Sequence, residues 1–255
     1  PSRSWREPLV LRLPADVPWH RVRQAQLVHR HGDFWLHLSV AEPAPAKQEG
    51  SGRAAGADPG EVHALALSTG ERHLVIVGRQ LRSQWRLYHL TLRRFQKKMA
   101  RCQKNSRRWA RLAAARARAL GKIRRRIEHL ECCIARHAVA WCLEQGVTDL
   151  YLGNPMGVEK VARGRRHRQR MHFWRRGKLR DRLEQLAARY GIRVDPVPEG
   201  DTSQTCPACG ARQKPRGRWF ECPFGHRGHR DVVGAVNILA LGQHKVDRRK
   251  AVLAA

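Results

Sequence analysis

A run of metal ligands leads directly into a carboxylate at the start of a helical pattern. Cys206-Pro-Ala-Cys209 is followed by twelve residues and then by Cys222-Pro-Phe-Gly-His226. His229-Arg-Asp231 comes next and opens Asp231-Val-Val-Gly-Ala-Val-Asn-Ile238, whose apolar spacing predicts a buried helix. The Cys-x-x-Cys pair predicts the first knuckle of a zinc ribbon, with Cys206, Cys209 and Cys222 as Zn²⁺ ligands. Gly225 stands where a fourth cysteine is expected, so His226 is the nearest fourth ligand and His229 the more distant alternative. A ribbon has no need of Asp231. A hard carboxylate suits Mg²⁺, which prefers oxygen ligands. The pairing therefore predicts a metal-built clamp beside a second, metal-dependent site.

The charge balance narrows the partner. The chain has 255 residues with 51 Lys and Arg against 21 Asp and Glu, a net charge of +30. Such a surface repels itself and seeks a polyanion, which points to nucleic acid. Arginine outnumbers lysine 41 to 10. Its planar fork grips phosphate and stacks on bases. No apolar run approaches the ~20 residues of a membrane span, and no signal peptide is visible, so no membrane partner is expected. The seven cysteines are an odd number, and Cys102, Cys132, Cys133 and Cys142 fall in helical, apolar-periodic surroundings. They read as reduced core residues in a reducing compartment, not as a disulfide framework. The chain begins at Pro1, which reads as processing or as a piece of a longer protein.

Along the chain, residues 1–45 read as strands, with Leu9–Leu13 alternating and Phe34–Val40 following a turn at Gly32-Asp33. Residues 41–57 read as a loop or linker. Ala64–Leu67 and Leu74–Val77 form a predicted hairpin, with Asp58 just before its first strand. From Arg72 to Ile127 there are 19 Lys and Arg and no acid. Apolar residues recur there at helical spacing as far as Cys102, and the pattern resumes after Gly121, which predicts two long helices. Such a run departs from ordinary soluble helices, which intersperse signs. Leu150-Tyr-Leu152 predicts a short buried strand ended by Gly153-Asn154. Residues 161–180 carry nine Lys and Arg. A helix through Leu179–Tyr190 and a strand at 192–197 precede Glu199. This order predicts an α/β sheet with insertions.

Three stretches resemble one family. Gly56-Ala-Asp58-Pro-Gly60, Thr202-Ser-Gln-Thr-Cys206-Pro-Ala-Cys209-Gly and His229-Arg-Asp231-Val-Val-Gly-Ala-Val-Asn-Ile238 are similar to TnpB, the transposon-encoded RNA-guided nucleases related to type V CRISPR effectors. The resemblance runs from about residue 30 to residue 242. It implies an α/β RNase H-like (RuvC) nuclease domain at 46–200, with a basic helical insertion at 82–141. A zinc ribbon at 201–229 and a last helix with a basic tail at 230–255 would follow. Residues 1–45 would be the last strands of an oligonucleotide-binding, wedge-like β-barrel. The resemblance also implies a guide RNA from the transposon end, a double-stranded DNA target and two Mg²⁺. It implies a prokaryotic, cytoplasmic, nucleoid-associated setting. Asp58 and Asp231 match two catalytic carboxylates of the family.

The third carboxylate departs from the pattern. The family usually places a Glu at the end of the middle strand, where this chain has Gly153-Asn154. Some members use a Glu on the next strand, just before the Thr-Ser, which here is Glu199; Asp201 and Glu159 are the other candidates. Arg107, Arg108, Arg124 and Arg125 on the basic helices, and Arg165, Arg166, Arg168 and Arg170 further on, are the expected phosphate contacts, with Phe173 or Trp174 able to stack on a base. The leading reading is an RNA-guided DNA endonuclease. The alternatives are a guided DNA-binding protein whose nuclease has decayed, and a zinc-ribbon nucleic-acid-binding protein without a guide.

Overall fold

The computed structural model describes residues 15–30, 33–41, 52–154 and 176–253, with Val10, Arg12 and Leu13. The chain divides into two compact units, residues 1–44 and 45–255. In the first, a 3₁₀ turn at Trp19–Arg21 leads into β1 (Val22–Arg30), which pairs antiparallel with β2 (Asp33–Val40). A two-stranded ribbon has no core of its own, and Phe34 on β2 stays 75% exposed. Leu9 and Leu11 of the predicted first strand, and the turn residue Gly32, lie outside the described residues.

The second unit is built on five strands: β3 (Arg53–Asp58), β4 (His63–Ser68), β5 (His73–Val77), β6 (Val147–Asn154) and β7 (Arg193–Pro198). Their order across the sheet is β5-β4-β3-β6-β7. β3, β4 and β5 form an antiparallel meander, while β3, β6 and β7 run parallel. The predicted hairpin is thus β4–β5. Residues 53–58, expected to fall mostly in a loop, instead form the central strand. Arg53-Ala-Ala-Gly-Ala-Asp58 lacks the β-branched and aromatic side chains that mark a strand.

Helices cover both faces of this sheet. α1 (Arg79–Met99), α2 (Arg107–Glu144) and α3 (Arg176–Arg189) precede a last helix, α4 (Arg230–Leu253). On one face, Ala55, Ala57, Leu65, Leu67, Leu150 and Leu152 pack with Ala138, Val139 and Cys142 of α2 and Leu183 and Ala187 of α3. On the other, Tyr151 and Val197 pack with Ile238 and Leu239 of α4. The alternation follows the two-residue period of a strand. Small residues bring α4 unusually close. A Cβ on Gly56 would collide with the Ala235 carbonyl, and one on Gly242 would enter the Tyr151 ring. That closeness is the physical reason β3 carries glycine at position 56, on the face it turns to α4.

The two basic helices form an antiparallel pair, with Leu81, Trp85 and Tyr88 of α1 packed on Ile123 and Ile127 of α2. The break between them lies at 100–106. Asn105 turns the chain with a left-handed φ of 66°. Ser106 caps α2 by accepting from the Trp109 N–H at 3.2 Å. α2 passes through Gly121 without interruption, although the apolar pattern pauses before it. Among the described residues no helix is long and apolar enough to cross a membrane.

Candidate active site and metal centre

The three parallel strands end on one side of the sheet. β3 ends at Asp58, β6 at Asn154 opposite Pro198 of β7, and Glu199 follows β7 directly. α4 packs on β3 and begins at Arg230, so Asp231 lies in its first turn. Carboxylates are favoured there by the unpaired N–H groups of a helix start.

Asp231 is buried and fully engaged. Its Oδ2 accepts from Arg218 Nη1 at 3.2 Å and lies 2.7 Å from His63 Nδ1, while Oδ1 lies 3.5 Å from Arg230 Nε. His63 opens β4 and Arg218 precedes β8 (Trp219–Glu221), so three separated segments converge on one carboxylate. Neither His63 nor Arg218 stands out in the sequence, because each partner lies far away along the chain.

Asp58 sits against the same helix one turn further on. A Cβ on Gly234 would strike the Asp58 carboxylate. Gly234 and Asp231 share a helix face at i, i+3. Burial, and then repulsion from Asp231, push the Asp58 carboxyl up from 3.8 to about 7, against the pull of Arg230. Two carboxylates crowded in this way are a poor arrangement alone and a good one around a cation.

Glu199 reaches the same strand ends from β7. A Cβ on Gly153 would lie 2.5 Å from Glu199 Oε2, 2.8 Å from Ile238 Cδ1 and 3.2 Å from Pro59 Cδ. The Glu199 carboxylate therefore lies over the bare end of β6, next to the residue that follows Asp58. A tight turn fixes it: Thr202 Oγ1 donates to the Glu199 carbonyl at 3.0 Å, and Asn237 Nδ2 donates to the carbonyls of Thr202 at 2.7 Å and Thr205 at 2.8 Å. Asn237 thus ties this turn to α4. Asp201 is a turn residue with φ 60°, accepting from Gln204 Nε2 and pairing with Arg212. Glu159 lies outside the described residues.

The ribbon carries a second cluster. Cys206, Cys209, Cys222 and His226 present donor atoms all within 4.8 Å of one another. Cys209 and Cys222 Sγ are 3.8 Å apart, and Cys222 Sγ is 3.3 Å from His226 Nδ1. Four soft donors so spaced fit a closed tetrahedral site. Burial alone would raise the Cys206 thiol, but backbone N–H groups of Cys209 and Ala208 and the neighbouring thiols lower it below its ordinary range. Burial likewise opposes ionisation of Cys222, while the His226 and Phe224 N–H groups, the His226 ring and the Cys209 thiol lower it. The two knuckles differ by one residue. In the first, Gly210 N–H bonds the Cys206 carbonyl; in the second, Gly225 N–H bonds the Cys222 carbonyl with φ 84°. The tighter turn needs glycine where a cysteine is expected and brings His226 into line. Phe220 and Val233 pack with Cys206 and Cys222, seating the ribbon on α4.

His229, the alternative ribbon ligand, instead groups with His63 and Asp231. It closes β9 (Arg227–His229), which pairs antiparallel with β8. Burial holds its imidazole below the ordinary range, against the pull of Asp231. Of the arginines, Arg107 and Arg108 at the start of α2 and Arg125 are exposed. Arg124 is half-buried, donates to Tyr88 Oη at 2.9 Å and lies over that ring at 5.6 Å, so it stitches α1 to α2. Arg165, Arg166, Arg168, Arg170, Phe173 and Trp174 lie outside the described residues.

Two family profiles match the chain: OrfB_IS605, described as a probable transposase, over residues 37–159, and the Cas12f1-like TNB domain over residues 177–238. The TnpB-like protein ORF457 of Acidianus two-tailed virus is 35% identical over 120 residues, 46% of this chain and 25% of that protein. The Cas12f1 chain of a complex with sgRNA and target DNA superposes with a TM-score of 0.60 at 17% identity, covering 80% of this chain and 42% of that one. A CRISPR-Cas12f ternary complex gives 0.55 at 19% identity, covering 81% and 42%. At such identities the likeness speaks for the fold. The chain spans less than half the length of each of these proteins.

Proposed function

Because the chain belongs to the TnpB family, we propose that it forms the nuclease portion of an RNA-guided DNA endonuclease, with Asp58, Glu199 and Asp231 as its metal-binding carboxylates. The observation that carries this reading is the crowding of acids at one end of a mixed sheet. Asp58 is repelled by Asp231, and Glu199 lies over the end of β6 beside Pro59. The strand order β5-β4-β3-β6-β7, with its antiparallel meander and two added parallel strands, supports an RNase H-like (RuvC) fold.

The three carboxylates would hold Mg²⁺, which in pairs activates a water and stabilises the leaving oxygen of a phosphodiester. The chain's own residues prepare that site. Asp58 is raised to about 7 without a cation, so its proton must leave before oxygen ligands are offered. His63 and Arg218 hold Asp231 by donors a cation would replace. The Thr202–Thr205 turn and Asn237 set the position of Glu199. The ribbon is read as a Zn²⁺ site that braces the start of α4 through Val233. The exposed arginines of α2 would grip phosphate, while base pairing with a guide RNA reads the sequence.

The test uses the full-length protein that bears this chain, purified with the RNA it carries. With Mg²⁺ and a DNA matching that RNA, the native protein is expected to cut. Asp58→Ala, Glu199→Ala and Asp231→Ala are expected to bind the DNA without cutting. A native complex that binds but never cuts identifies a guided binding protein instead. Full cutting by Glu199→Ala removes Glu199 from the site.

A further inference from the structure

We infer that His63, His229 and Asp231 form a second, nitrogen-rich site for a divalent transition ion such as Zn²⁺, separate from the cysteine ribbon. The three side chains come from β4, β9 and the first turn of α4, and their donor atoms lie within 4.8 Å of one another. Ligands 2.0–2.2 Å from a tetrahedral ion stand roughly 3.3 Å apart. The 2.7 Å contact between His63 Nδ1 and Asp231 Oδ2 therefore needs only a slight opening to admit one. The two imidazoles lie against each other with centroids 5.0 Å apart. His229 Nδ1 is buried and has no hydrogen-bond partner among the described residues.

The donor set selects the ion. Two imidazoles and one carboxylate suit zinc and its transition-metal neighbours, whereas Mg²⁺ prefers oxygen throughout. Three protein ligands leave a fourth position open, unlike the closed set of the ribbon. Arg218 and Arg230 are the cationic groups facing Asp231, and both oppose a cation there. Arg218 is 41% exposed along its side chain and has solvent to swing into. Affinity at this site is therefore lower than at the ribbon, and occupancy follows the free zinc level. The site stands on its geometry alone. One consequence rests on the proposed nuclease: an Asp231 oxygen bound to zinc is withdrawn from Mg²⁺, so zinc inhibits cutting.

The test measures metal content in the full chain. After dialysis against excess Zn²⁺, the native chain is expected to hold two zinc ions, and His63→Gln and His229→Gln one each. Co²⁺ added to the native chain with a zinc-filled ribbon should give visible bands of nitrogen–oxygen coordination without a thiolate band. This reading holds even if a variant fails to fold. One zinc per native chain with no such cobalt spectrum overturns the proposal. So do two zinc ions in both histidine variants, which put the second ion elsewhere. In a cutting assay, each variant compared with its own zinc-free rate should lose the inhibition. Inhibition that persists unchanged overturns the link to Asp231 without touching the nuclease assignment.

Discussion

Replacing Asp58 by Asn is expected to stabilise the protein when Mg²⁺ is absent. Burial and the nearby Asp231 raise the Asp58 carboxyl from 3.8 to about 7. At 1.36 kcal/mol per unit, that shift of about three units amounts to about 4 kcal/mol. The sign follows from proton binding. The folded chain holds the Asp58 proton more tightly than the unfolded chain, so the stability it contributes is complete below pH 3.8. It is lost as pH rises from 3.8 to about 7, and stays lost above that. Asparagine keeps the shape and never ionises. The stability gap between Asp58→Asn and native protein should therefore open from near zero at pH 4 to about 4 kcal/mol at pH 8, roughly 8–16 °C in Tm for a unit of this size. The assay is thermal or urea unfolding of both proteins across that range, with zinc retained on the ribbon and Mg²⁺ left out. Adding Mg²⁺ at pH 8 should raise the native protein and leave the variant nearly unmoved. Parallel pH profiles, or a variant less stable than native at pH 8, would refute the reasoning.

Other perturbations separate the remaining contacts. Gly→Ala inside a helix ordinarily gains about 1 kcal/mol. Gly234→Ala should instead destabilise, because its Cβ meets the Asp58 carboxylate. A double-mutant cycle with Asp58→Ala should return a coupling of about 1–3 kcal/mol. Asn237→Ala removes the donor to two carbonyls, and urea unfolding should show a loss of about 1–3 kcal/mol. Gly225→Ala forces a side chain onto a φ of 84°. Zinc competition with a chelator should show weaker retention by about 1–2 kcal/mol, the usual penalty of a left-handed L-residue.

What the sequence made legible is what its periodicity encodes. The apolar runs at 64–67, 74–77 and 150–152 are strands, and the spacing after Asp231 is a helix. The central strand was hidden because its residues are small, Gly56 toward α4 and Ala55 and Ala57 toward α2 and α3, and small residues carry no strand signal. The pause in the apolar pattern before Gly121 marks no chain break; the turn comes at Asn105 and Ser106, where a cap and a left-handed residue meet. Asp58 and Asp231 announce themselves through local motifs. His63 and Arg218 do not, because their role exists only once β4 and the ribbon fold against α4. The Thr202–Thr205 stretch is visible as a motif, but its purpose, receiving Asn237, is visible only in space.

Gly153 and Glu199 share one volume approached from two strands. A side chain at 153 would begin 2.5 Å from the Glu199 carboxylate and 2.8 Å from Ile238. An acid at the end of β6 and an acid after β7 are therefore rival occupants of the same space. A glutamate added at 153 displaces the Glu199 carboxylate and the Ile238 methyl, both the far ends of flexible side chains. Moving the acid from one strand to the other shifts those two ends, while Pro59 Cδ, 3.2 Å from a Cβ at 153, bounds the same space. A carboxylate placed at 153 thus enters the volume that Glu199 fills now, and an engineered transfer of the carboxylate is best designed as a paired exchange.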